Sequence, residues 1–279
     1  MSHKLIGLAG VLFLLTATRA PAQQQEAAAP APLPAATPSE MECSGFIAAT
    51  PLSNDLYVFD GADNDFRDAL HQFATGSYVY IRSRSGSTTI SVGSEFSLVR
   101  SAKELMRVRW LPGQGGAMRS LGTAYEDVGR AKVIAVTPHG AVAQVTFACG
   151  SVRPGDVAIR YQPRPIPEYA PRAPLDRFAP SNGKRAGAIT AATNDLPYVG
   201  VGKTVYVNLG QSDGVSPGQR YRVFRIFRDI THAGFLTLPE PPRENIGELV
   251  ILSVQEKASV GMVVQSIREI SLGDGVELE

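Results

Sequence analysis

Beyond residue 75 the chain is written in short alternations of apolar and polar residues. YVYIRS (78–83), EFSLVR (95–100), AKVIAV (131–136) and AQVTF (143–147) are followed by TVYVNL (204–209), RYRVFR (220–225), ELVILSV (248–254) and GMVVQ (261–265). A period of two, with β-branched and aromatic residues at the apolar positions, predicts strands that turn one face to a core. Only Asp65–Ala74 has helical spacing with a cap, so the expected class is all-β.

One turn recurs four times, as ISVGS (90–94), VRPGD (152–156), VSPGQ (215–219) and ISLGD (270–274). Proline or an apolar residue at the first corner and glycine at the second fit a type II turn, whose second corner needs positive φ.

The pattern also repeats on a larger scale. GSYVYIRSRSGSTTISVGSEFSLVR (76–100) matches GKTVYVNLGQSDGVSPGQRYRVFR (202–225), and residues 128–161 align without a gap to 246–279. A fainter match joins Ser44–Val58 to Ala186–Val199. The chain therefore reads as a tandem duplication, with copies at 43–161 and 184–279. Five or six short strands and two tight turns per copy describe a small antiparallel, SH3-like barrel. The proline-rich stretch 162–183 reads as an extended linker between the two.

The first residues add a destination. His3 and Lys4, an apolar run from Leu5 to Leu15 and Ala20-Pro21-Ala22 make residues 1–22 a secretory signal peptide. The run falls short of the roughly 20 residues that a membrane-crossing helix needs, and no cysteine follows it at lipid-attachment distance. Residues 23–42 are Ala/Pro/Gln-rich and read as a disordered tether. Without residues 1–22 the balance is 25 basic against 26 acidic residues, since Lys4 and Arg19 leave with the leader. That near-neutrality argues against nucleic acid. In an exported chain, the pair Cys43 and Cys149 favours a disulfide.

Two motifs suggest chemistry and fail on context. Gly210-Gln211-Ser212-Asp213-Gly214 matches the G-x-S-x-G elbow of serine hydrolases, but a helix must follow the nucleophile, and here a strand pattern follows. GVGKT (200–204) lacks the glycine that a phosphate-cradling loop requires at Pro197, and TVYV follows in place of a helix. The first is read as a β-hairpin loop and the second fails as a phosphate loop, so no nucleotide is expected and a Ser212 hydrolase is the poorest alternative. The acids in NDLYVFDGADNDFRDAL (54–70) do not follow calcium-loop order, and His71, His139 and His232 stand singly. No catalytic, cofactor or metal site is assigned.

What remains is contact. The copies differ mainly at 101–127 and 226–245, which hold Trp110 and Phe235; loops that vary on a fixed scaffold are where recognition resides. Arg220 and Arg222 share one strand face, as do Arg82 and Arg84 in the first copy, and suit an anionic glycan or lipid. Trp110, Phe235, Arg220 and Arg222 are the candidate partner contacts.

The block VYVNLGQSDGVSPGQRYRVFR (205–225) with IGELVILSVQEKASVGMVVQSIREISLGDGVELE (246–279) resembles the C-terminal domain of the flagellar assembly protein FlgT. It is also similar to repeats of exported bacterial proteins labelled LysM-containing, although LysM modules continue into a helix where strands continue here. The resemblance implies a periplasmic or outer-membrane-associated β-domain with no catalytic residues to carry over. The expected function is a non-catalytic envelope scaffold or assembly factor; the alternative is a module that binds peptidoglycan or another glycan.

Overall fold

The computed structural model describes residues 31–62, 71–86, 89–102, 110–171, 175–226 and 243–279. Ahead of the first barrel lie β1 (Leu33–Pro34), α1 (Pro38–Glu42) and β2 (Phe46–Ala48). Barrel one contains β3 (Leu56–Gly61), β4 (Tyr78–Ser83), β5 (Glu95–Ser101), β6 (Thr123–Thr137), β7 (Gly140–Ala148) and β8 (Val157–Arg160). Helix α2 (Gln114–Leu121) lies in the insert between β5 and β6. The order β6-β5-β8-β3-β4-β7 closes through the β6–β7 ladder, and β2 is added at the start of β6.

After β9 (Glu168–Tyr169), barrel two runs through β10 (Ala186–Ala192), β11 (Tyr198–Val199), β12 (Thr204–Val207), β13 (Arg220–Ile226), β14 (Arg243–Val254), β15 (Ser259–Ser266), β16 (Ile270–Ser271) and β17 (Gly275–Leu278). Its closed order is β10-β12-β15-β14-β13-β17, while β11 and β16 form a separate two-stranded ladder. The all-β expectation of two tandem barrels holds. No helix among the described residues is long and apolar enough to cross a membrane.

Period-two alternation fills each interior. Val79, Ile81, Phe96, Leu98, Val133 and Val145 meet inside barrel one; Val205, Val207, Tyr221, Val223, Leu249 and Val263 meet inside barrel two. The four recurrent glycines lie at φ +85, +95, +83 and +90 (Gly93, Gly155, Gly218, Gly273), the left-handed conformation that the type II turn requires. Each turn closes with an amide donating three residues back, from Ser94, Asp156, Gln219 and Asp274.

The copies also share their irregularities. A bulge at Val128 in β6 recurs at Ile246 in β14, bending the strand at the same point of each wall. The next residue is Gly129 in one copy and Gly247 in the other. A Cβ there would sit 2.6 Å from the Phe147 carbonyl oxygen or from that of Gln265. These glycines are needed because the neighbouring strand comes so close.

One ion pair recurs as well. Arg100 reaches Asp156 with two hydrogen bonds of 2.7 and 2.8 Å, and Arg225 reaches Asp274 with two of 2.8 Å. Each aspartate also accepts an amide of its own turn, from Arg153 at 2.7 Å or from Ser271 at 2.6 Å. Each arginine spends its remaining reach on a carbonyl, of Ser151 or of Glu269. The buried aspartate thus ties the turn before the last strand to the strand beside it. The Asp274 bonds hold the Arg225 guanidinium charged, above its ordinary range.

Three readings of the sequence change. The counterpart of β10 is β3, because each pairs with the first hairpin strand and the last strand of its own barrel. The match of Ser44–Val58 to Ala186–Val199 slips because small residues carry little register information, and β2 instead extends β6. Residues 33–42, expected as part of a disordered tether, form β1 and a helix whose capping box joins Thr37 and Glu40. The described parts of the linker, 162–171 and 175–183, form a strap: β9 pairs with β1, Asn245 donates to the Asp176 and Ala179 carbonyls, and Ser181 bonds Glu277.

The physical reason lies on barrel two. Val250, Leu252 and Met262 are outward-facing and apolar, and Ala35, Ala36, Met41, Ile166 and Tyr169 cover them. Barrel one has Lys132, Ile134 and Gln144 at the matching positions. Composition alone reads the tether as having nothing to bury; the second barrel supplies the partner.

The disulfide Cys43–Cys149 spans 106 residues. Cys43 caps α1, whose Met41 packs on barrel two, whereas Cys149 follows β7 of barrel one, so the bond staples the strap to the other barrel. A Cys43→Ser/Cys149→Ser chain should lose about 3–5 kcal/mol in urea unfolding, as expected for closing a loop of this length. Asp274→Ala, which strands the Arg225 charge, should cost about 3 kcal/mol by the same measurement, against well under 1 kcal/mol for removing an exposed surface charge.

Candidate functional site

Ser212 occupies the one-turn 3₁₀ segment Gln211–Asp213, exposed, its hydroxyl 3.4 Å from Asp213 Oδ2. Asp213 also accepts the Gly210 amide at 2.9 Å, Gly214 (φ +71) ends the turn, and the chain continues to β13. The arrangement is a turn closed by its own aspartate, and the hairpin reading is corrected: the loop joins β12 to β13, which do not pair, since β12 lies between β10 and β15 and β13 between β14 and β17. GVGKT is likewise a turn into β12, with the Lys203 amide donating to the Gly200 carbonyl at 3.2 Å. Of the acids in 54–70, Asp55 accepts from the Ser83 hydroxyl and the Ser85 amide, and Asp60 meets His71 at 3.0 Å; residues 63–70 lie outside the described set. Among the described residues no group of three His, Cys, Asp or Glu is placed to hold a metal ion.

The candidate contact residues divide. Arg220 is buried, with Nη1 donating to the Ala170 carbonyl at 2.7 Å and Nη2 paired with Glu248 and, at 3.6 Å, Glu279. Arg222 bonds Glu279 and the Pro180 carbonyl, each at 3.3 Å. Glu248 and Glu279 neutralise both charges and the strap adds the Ala170 and Pro180 carbonyls, so the reading of Arg220 and Arg222 as an open anion site is corrected. Trp110 is partly exposed; its indole N–H donates to Asp195 across the barrel boundary at 3.2 Å. Burial raises the Asp195 carboxyl above its ordinary value, and the indole bond partly offsets this. Phe235 lies outside the described residues.

The insert that carries Trp110 therefore works within the chain. Met118 and Leu121 of α2, with Ile47 of β2, pack onto Tyr206, Ala258 and Val260 of barrel two. Gln114 donates to the Thr190 carbonyl at 3.0 Å, and the Tyr206 hydroxyl donates to the Ser44 carbonyl at 3.3 Å. Beside this contact, Asp127 accepts from the Gly45 amide and the Arg164 guanidinium, both at 2.8 Å. A hollow of about 220 Å³ remains next to the disulfide, lined in part by Gly45, Asp127, Asn194 and Tyr206.

Repeat symmetry shows what barrel one does with the same surface. Tyr206 pairs across β12–β15 with Val260, and Tyr80 pairs across β4–β7 with Val142. The β10 bulge residue beside Tyr206 is Thr190; the β3 bulge residue beside Tyr80 is Phe59. Thr190 and Tyr206 are 7% and 3% exposed, whereas Phe59 and Tyr80 are 46% and 38% exposed. An apolar hollow of about 260 Å³ lies between Phe59, Tyr80, Thr137 and His139. Barrel one thus bears, uncovered, the face that barrel two uses to hold barrel one.

Cations edge this face. The Arg82 guanidinium lies 4.6 Å from the centre of the Phe59 ring, and that of Arg84 lies 4.0 Å from the centre of Tyr57. An adjoining groove of about 420 Å³ is lined by Arg82, Arg84, His139 and the hydroxyls of Ser83, Ser85 and Thr137, with Asp55 behind it bonded to the Ser83 hydroxyl and the Ser85 amide. Sequence reasoning noted Arg82 and Arg84 but missed Phe59 and Tyr80; the available signal was an aromatic at the outward-facing position of each strand.

The sequence matches no known family model and no curated protein.

Burial pushes the Asp127 carboxyl above its ordinary value, an effect that Arg164 and the Gly45 amide offset only in part. The folded state therefore binds this proton more tightly than the unfolded chain. The contribution to stability is complete below the ordinary value near ~4 and is lost as pH rises through the raised one. Asp127→Asn cannot titrate, so the melting temperature of the native chain should fall relative to this variant as pH rises above the ordinary carboxylate value near ~4. A constant offset as pH rises contradicts the assignment.

Proposed function

We propose that the chain is a non-catalytic, exported scaffold or assembly factor of the cell envelope, at the periplasmic side or the outer membrane, that works through protein contacts of its two β-domains. One observation carries this reading: the apolar face at Phe59 and Tyr80 is open on barrel one, while its counterpart on barrel two is filled by protein. Closed barrels leave recognition largely to such faces, because little strand edge remains to be paired. Aromatic side chains beside arginines are the residue types that anchor protein interfaces. The leader at 1–22 and the resemblance to the FlgT C-terminal domain point to the same compartment and role.

The groove of Arg82, Arg84 and His139 favours a second reading, an anionic glycan such as peptidoglycan held by guanidinium and hydroxyl groups. A photo-crosslinking amino acid at Tyr80, in the full chain exported to its native envelope, separates the two. The scaffold reading expects discrete protein adducts that Phe59→Asn abolishes and that the same probe at exposed Val201 does not give. Absence of such adducts, together with retention on purified peptidoglycan that Arg84→Gln weakens, reverses the order of the readings.

A further inference from the structure

We propose that the open face of barrel one receives an acidic amphipathic helix of another protein, as barrel two receives α2. The proposal rests on the scaffold reading and names the chemistry of the partner. The two faces correspond residue by residue: Tyr206, Ala258 and Val260 of barrel two stand where barrel one has Tyr80, Gly140 and Val142. The first three are covered by Ile47 and by Met118 and Leu121 of α2. That helix turns one side to the barrel, since Gln114, Gly115, Met118 and Leu121 are buried while Gly116, Ala117, Arg119 and Ser120 are exposed. Gln114 adds a single polar bond, to the Thr190 carbonyl. An apolar pair three residues apart on a short helix is thus the shape that this kind of face accepts. On barrel one the corresponding surface holds the hollow between Phe59, Tyr80 and His139.

Charge narrows the occupant. Arg82 and Arg84 stand where barrel two has Asn208 and Gly210, and His139 stands where it has Lys257. The Arg82 guanidinium lies on Phe59, its buried Nε without a partner, and Arg84 donates its Nε to the Asn54 carbonyl. Nearby acids are engaged elsewhere: Asp60, opposite Tyr80 in the β3–β4 ladder, bonds His71, and Asp55 bonds Ser83 and Ser85. Carboxylates flanking the apolar pair of an incoming helix would meet guanidinium groups that complement them.

The described helices of this chain do not fit that description. The acidic α1 is little more than one turn long and already sits on barrel two through Met41, and α2 carries Arg119 and no acid. A two-fold pairing of open faces would set Arg82, Arg84 and His139 of one copy against those of another. The occupant is therefore a different protein.

The test uses the full chain after export, with its disulfide formed, and a fluorescein-labelled, side-chain-stapled helical peptide of about 14 residues. The peptide carries Met and Leu in the spacing of Met118 and Leu121, with glutamates on both flanks. Fluorescence anisotropy should show saturable binding, weakened about tenfold or more when lysines replace the glutamates or asparagines replace the apolar pair. Phe59→Asn and Arg82→Gln/Arg84→Gln should weaken it to the same degree, with circular dichroism unchanged, whereas Val201→Asn should not. Arg84→Gln alone, at an exposed residue, guards against misfolding of the other variants and should reduce binding in part.

Three results overturn the proposal: no binding of the peptide, binding indifferent to the exchange of glutamate for lysine, or binding that Phe59→Asn leaves unchanged. A photo-crosslink from Tyr80 back into its own chain at high dilution also overturns it, because the face is then already covered. Tyr80 adducts in the envelope whose crosslinked segment is basic or extended remove the helix and leave the scaffold reading standing. Retention on peptidoglycan without any protein adduct removes both.

Discussion

Closure of each sheet on itself is the constraint from which the rest of this structure follows. A six-stranded antiparallel sheet leaves no unpaired edge only if the last strand returns to the first, and in so small a barrel the walls must bend sharply. The bulges at Val128 and Ile246, the glycines beside them and the Arg–Asp clamps at Arg100–Asp156 and Arg225–Asp274 all serve that bending. They recur at the same places because closure makes the same demand twice. The clamp puts a buried aspartate where a type II turn enters the last strand, so one carboxylate fixes both the turn and its neighbour.

Closure also determines how the two barrels interact. With few strand edges to pair, they meet side chain to side chain, across the contact of Ile47, Met118 and Leu121 with Tyr206, Ala258 and Val260. The strap of residues 33–42, 162–171 and 175–183 lies over barrel two, and the Cys43–Cys149 bond carries that cover to barrel one. The two barrels are thus joined by side-chain packing, by the strap and by a covalent bond.

The duplicated copies have diverged on their outsides. Where barrel two has Val250, Leu252 and Met262, barrel one has Lys132, Ile134 and Gln144; where barrel two buries Thr190 and Tyr206, barrel one exposes Phe59 and Tyr80. Interior positions kept their alternation because both cores fill the same space. Exterior positions followed what covers them.

Much of this was legible in the residues alone. Alternation, the four Gly turns and the gapless match of 128–161 to 246–279 determine two antiparallel barrels, because period, turn chemistry and repeat spacing are local properties of the chain. The unbroken run Leu249–Leu252 even signals a strand covered on both faces, a signal the alternation reading passes over. The strap, the pairing of β10's counterpart, the neutralisation of Arg220 and Arg222, and the contrast between Tyr206 and Tyr80 belong to tertiary structure. Each depends on which distant surface comes to rest on which, and composition carries no record of that: an Ala/Pro-rich segment is disordered in water and ordered against Val250. The open face is visible only when the two copies are superposed in space, where the same tyrosine is buried in one barrel and exposed in the other.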